Sequence, residues 1–171
     1  MTKRTRKERI GPRDELALVS NRILALIFDK RYEDARLIIN KEQERFPAGE
    51  SHRFTAFTAA LHEHLGEIVE AIALLRQAVE EKPTWLPHLY QLSVLLMDAE
   101  HWGESETVLN DLIALSLAQK EAYFLSEARF RIAICLKELG RLKEFQQMKA
   151  EIPTGTSAFI GDRLYRIDDI T

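Results

Sequence analysis

Five histidines and a single cysteine are the side chains with which this 171-residue chain could most readily do chemistry. His62 and His64 lie two apart in the string HEHLG. On a helix that spacing points them to different faces, so they cannot share an ion within one helix, and the zinc-protease pattern needs its histidines four apart. No metal site is expected. Cys135 falls in an expected helix with Ile132 and Leu136 nearby, the setting of a small core residue rather than a nucleophile. One cysteine also excludes an internal disulfide framework and fits a reducing compartment. The chain carries no glycine-rich phosphate loop, no GxSxG and no carboxylate pair set in a motif; Asp168 and Asp169 fall in the C-terminal tail. The chain is therefore expected not to be an enzyme and to use no cofactor, which leaves binding.

Charge says what kind of binding. Lys3, Arg4, Arg6, Lys7, Arg9 and Arg13 face Glu8 alone in residues 1–13, whereas residues 63–127 hold twelve acids against Arg76, Lys82 and Lys120. An acidic body argues against nucleic acid, which needs clustered cations, and would steer a basic partner. The N-terminal stretch could touch phosphates but has no aromatic residue to stack a base. The longest apolar run, Ile23–Phe28, is too short to span a bilayer. The basic start leads into a stretch broken by Ser20, Asn21 and Arg22 without a cleavage site, so a cytoplasmic location is expected.

The elements that must carry a binding surface follow from periodicity. Residues 1–13 read as a basic disordered tail, 14–153 as a helical domain, and 154–171 as a tail or short hairpin. Leu16, Val19, Ile23, Leu26 and Ile27 begin the helical spacing, and a second helix runs up to Pro47. Further helices are expected at about Ser51–His64, after Gly66 up to Pro83, from near Trp85, at Glu104–Leu115, at about Ala122–Leu139 and at Leu142–Ala150. Phe159 and Ile160, then Gly161 and Asp162, then Leu164 and Tyr165 suggest two strands around a two-residue turn, packing those four apolar side chains on the last helices.

These helices repeat. Pro47 and Pro83 are 36 apart, and Ala71 and Ser105, like Leu75 and Leu109, are 34 apart. The strings RYEDARLII, LGEIVEAIALL and HWGESETVL share a turn, an acid, a small residue and a large apolar residue in phase. Helix pairs at that period indicate a solenoid. The pattern resembles the tetratricopeptide repeat (TPR) family over about residues 16–117. Ala35, Ala71 and Ser105 match its small second-helix position, and Ile39, Leu75 and Leu109 its following apolar one. Tyr32 and Trp102 match the turn aromatic, Pro47 and Pro83 the closing proline, and Leu89, Leu92, Ser93, Leu96 and Ala59 the first helices. Ile23 departs from the pattern, standing where the first repeat should have a small residue. The fourth pair matches at Ile132, Ala133, Leu136 and Gly140, carries Phe145 where alanine is expected, and starts about six residues late.

The resemblance implies an all-α, right-handed solenoid of antiparallel helix hairpins. Its first helices would line a concave surface that binds a protein or peptide. Carried over by position, the partner-binding residues would include Asn21 and Phe28, then Phe57 and His64, then Tyr90, Gln91, Met97 and Asp98, and finally Arg131. A family subset clamps C-terminal carboxylates with Lys and Asn; here Asn21 fits, but Phe57, Pro87 and Gln91 stand where polar or basic residues are wanted. A dedicated chaperone or a toxin-neutralising immunity protein, holding a basic protein, would suit this size and charge. The alternative is a homo-oligomeric scaffold, a homodimer closed through the groove or the solenoid end.

Overall fold

The computed structural model describes residues 11–161 and 163–170, and leaves the side chains of residues 12 and 13 undescribed. The expected basic tail therefore lies mostly outside the described residues, as does Asp162 of the expected turn. Within them the order is α1 (Pro12–Phe28), α2 (Tyr32–Gln43), a short 3-10 turn (Ala48–Glu50), α3 (Ser51–His64), α4 (Ile68–Glu81), α5 (Leu86–Asp98), α6 (Trp102–Gln119), α7 (Leu125–Glu138) and α8 (Leu142–Lys149). Strands β1 (Ser157–Ile160) and β2 (Arg163–Arg166) close the chain as an antiparallel hairpin with Ile160 opposite Arg163.

The same turn sets each of the four hairpins. Lys30, Gly66, Glu100 and Gly140 all adopt left-handed φ, between 59° and 80°. After each, the next backbone N–H bonds back to a carbonyl five residues earlier: Arg31 to Leu26, Glu67 to His62, His101 to Leu96 and Arg141 to Leu136. This closure satisfies carbonyls that a helix end leaves orphaned and reverses the chain tightly enough for the two helices to pack side by side. Arg31, Glu67, His101 and Arg141 then start the second helices, with carbonyls bonded by Ala35, Ala71, Ser105 and Phe145.

Those last residues sit at the helix crossings. Ala35, Ala71 and Ser105 are fully buried, and so is Ala59 on the facing helix α3. Serine is accommodated because Ser105 Oγ donates to the Ser93 carbonyl of α5 at 2.9 Å, so the burial leaves no orphaned hydroxyl. Where the small residue is missing, packing loosens. Ile23 is fully buried between α1 and α2, which touch over much less of their length than α3 and α4 do. Phe145 fills the position in α8, the shortest α-helix described, and is fully buried too.

Apolar side chains form three successive cores, one shared by α1–α3, one by α3–α6 and one from α5 to the C-terminus. The last contains Ile152, Ile160, Tyr165, Ile167 and Ile170 together with α7. The β-hairpin and its flanks thus pack on the last helices described. Only one face of the hairpin does so. Ile160 and Tyr165 are buried, whereas Phe159 and Leu164, also expected to pack inward, are 63% and 40% exposed. They pair across the strands on the opposite face, as the two-residue period of a strand requires. The sixth helix runs four residues further than expected, and Lys120, with φ 60°, terminates it.

Among the described residues no helix is long and apolar enough to cross a membrane.

Candidate binding groove

The first helices α1, α3 and α5 enclose an open cavity of about 210 Å³. Leu24 of α1, Ala56, Phe57 and Ala60 of α3, and Trp85 and Pro87 at the start of α5 give it an apolar lining. Its polar groups are Ser20, Arg53, His88 and Gln91. The Arg53 guanidinium lies over the Trp85 ring at 5.6 Å from the centroid, and its Nη2 donates to Ser20 Oγ at 3.4 Å. With Nη1 also paired to Glu50 at 3.7 Å, Arg53 is held as part of the wall.

The expected binding residues divide by location. Phe57 and Gln91 line the cavity. Asn21 and Phe28 are exposed on α1. Phe28 packs edge-on against His64 at 5.4 Å, so these two form an aromatic rim where α1 and α3 end. His64 is oriented by its own helix, its Nδ1–H donating to the Ala60 carbonyl at 2.9 Å.

The third and fourth hairpins differ from the expectation. Met97 and Arg131 are only 1% and 5% exposed and cannot present side chains to a partner. Arg131 lies beneath the Tyr90 ring, 5.5 Å from its centroid, and donates through Nη2 to both Tyr90 Oη and Glu127 Oε1 at 3.2 Å. Met97 Sδ contacts the same guanidinium. Tyr90 also donates to Glu127 and stacks near Phe124. Burial first, and the Glu127 hydrogen bond second, push its hydroxyl up to about 12, so it stays a neutral donor. Tyr90 and Arg131 therefore fasten α5 to α7. Asp98 is also engaged, because its Oδ1 accepts the Gly161 N–H at 2.7 Å and anchors the β-hairpin against α5. The β-hairpin therefore occupies Asp98, and Arg131 occupies Met97, where both were expected to be free.

The buried Cys135 thiol is pushed up to about 11, chiefly by burial, which keeps it protonated and poorly nucleophilic. Beside Asp98 on the concave side, Glu63 is raised, mainly by burial and also by that neighbouring carboxylate.

Sequence reasoning missed the Arg53–Trp85 wall and a buried histidine pair behind it. His52 Nδ1 and His88 Nε2 are 2.7 Å apart, with both residues 3% exposed. Their separation of 36 residues equals that of Pro47 and Pro83, so the repeat register itself placed them at equivalent points on neighbouring hairpins.

This arrangement of hairpins has solved counterparts. Its fold resembles that of MamA. A double mutant of MamA RS-1 superposes with a TM-score of 0.62 at 12% identity, over 84% of this chain and 75% of that one. MamA AMB-1 gives 0.57 at 15% identity, covering 78% and 69% of the two chains. MamA MSR-1 gives 0.57 at 13% identity, over 78% and 72%. No family model matches the sequence, and no curated protein does. MamA is a TPR-like helical repeat protein, and at such identities the likeness establishes a TPR-like helical solenoid and nothing about what the groove holds.

Proposed function

We propose that this chain is a divergent TPR protein and a non-catalytic protein-interaction module, holding a protein or peptide segment in the groove across α1, α3 and α5. The observation that carries this reading is the open apolar recess between successive first helices, large enough for one bulky side chain and walled by Phe57, Trp85 and Leu24. Gln91 lines the recess, and Asn21, Phe28 and His64 extend the contact beyond it along the same helices. The net negative charge of residues 63–127 favours a basic partner, in the manner of a dedicated chaperone or an immunity protein.

Self-association is the second reading. Leu37 and Val69, 67% and 78% exposed on α2 and α4, lie on the second helices and outside the recess, and offer a copy of the chain an apolar foothold.

Capture of partners by the full chain beside an Ala60→Arg variant tests the groove, because the new side chain fills the recess from a half-exposed helical position. Partners captured by the native chain should be lost. Partners retained by a folded Ala60→Arg protein would remove the groove reading. Light scattering on both proteins separates the alternative, since a dimer through α2 and α4 survives Ala60→Arg.

A further inference from the structure

The His52–His88 pair sits at the contact between the first turns of α3 and α5, directly behind the groove wall. The Trp85 ring packs edge-on to His52 at 5.4 Å and also carries Arg53. The histidines touch through a single hydrogen bond, Nδ1 of one ring to Nε2 of the other, while His88 Nδ1 is buried with no hydrogen-bond partner. Such a contact holds one proton between two nitrogens. With both rings neutral, one donates and one accepts. A first extra proton leaves that hydrogen bond intact as imidazolium to imidazole. A second leaves two N–H groups aimed at each other at 2.7 Å with no acceptor between them, and two cations in a buried seam.

The surroundings do not relieve that conflict. Arg53 on α3 and Lys82, just after α4, oppose further positive charge; Glu50, just before α3, and Glu81 at the end of α4 partly offset them. From α1, Leu16 and Ser20 reach the cavities on either side, and neither is charged. His52 borders a second cavity, lined also by Glu50, Arg53 and Lys82, which provides a path for protons.

We propose that this pair is an acid-operated latch: its full protonation parts the first turns of α3 and α5 and, with them, the Trp85–Arg53 wall of the groove. The latch is a property of the seam and stands independently of what the groove binds. Burial lowers both rings from the ordinary histidine value of 6.5, His88 to about 4. The unfolded chain takes up protons near 6.5 while the folded pair resists them, so the unfolded state binds more protons in this window. The stability the pair confers is complete above 6.5 and is lost as the pH falls toward 4.

The test uses the full chain. NMR titration of the imidazole ring signals and the Trp85 indole N–H should show His52 and His88 titrating below 6.5, with the Trp85 signal moving as His88 protonates. Between about pH 7 and about pH 4.5, the melting temperature should fall roughly 5–10 °C further in the native chain than in a His52→Leu, His88→Leu double variant. Equal falls in the two proteins overturn the latch. Should the double variant not fold, the titration decides alone: a Trp85 signal that stays fixed while His88 protonates, or a pair titrating at the ordinary value, overturns it.

Discussion

Individual residues in this chain are chosen by backbone geometry as often as by chemistry. Lys30 and Glu100 hold the same left-handed turn as Gly66 and Gly140, although only glycine adopts that conformation without a steric cost. Nothing lies within 4 Å of a Cβ built on Gly66, so substitution there meets strain rather than a clash. Gly66→Ala should therefore lower stability by about 1 kcal/mol, and Lys30→Gly should raise it by roughly 0.5–1 kcal/mol, both read from urea midpoints. A loss of stability in Lys30→Gly would mean that the Lys30 side chain contributes more than its backbone strain costs. At the same scale, Tyr90 and Arg131 show why a position on the expected concave face is not enough. Both lie on first helices, yet a buried guanidinium needs its charge paired, and Glu127 and the Tyr90 hydroxyl meet that need within the seam.

Helices in this chain approach as closely as their crossing residues allow. Ala59 and Ala71 let α3 and α4 run together, while Ile23 keeps α1 and α2 further apart. Ala71→Leu should cost about 1–3 kcal/mol by overpacking the close crossing. Ile23→Ala should not tighten the first hairpin; it should cost about 2–4 kcal/mol by leaving a cavity. Chemical denaturation of both variants checks the pair, and an Ile23→Ala protein as stable as the native one would show that the first hairpin can close to the spacing of the second. The C-terminal hairpin obeys a different rule. Its two-residue period buries Ile160 and Tyr165 and leaves Phe159 and Leu164 outside, an alternation visible in the sequence once the strand pairing is known.

For the whole molecule, stability should vary along the stack, because each hairpin is held by its neighbours. The core that contains α7 gathers contributions from α5, α6, α8 and the β-hairpin, whereas α1 and α2 share a smaller core with α3 alone. Hydrogen exchange should accordingly be fastest in α1 and α2 and slowest in α5 and α7. Uniform protection from α1 to α8 would indicate a single cooperative unit instead.

The repeat was legible in the residues because its determinants are local. Small residues at crossings, apolar residues at helical spacing and prolines at helix ends act within one hairpin, and their phase at Ala35, Ala71 and Ser105 specifies a stack of hairpins. Phe57 and Gln91 were assigned to the concave side by carrying the TPR resemblance over in that phase. The tertiary structure decided which parts of the concave side stay open. Met97 and Asp98 have the register of groove residues, but Met97 is buried against Arg131 and Asp98 is bonded to the β-hairpin, the latter a contact between segments more than sixty residues apart that no local period encodes. His52 and His88 likewise carried the repeat spacing in plain view. Only the packing of α3 against α5 brought their rings together, and only burial made the protons on them matter.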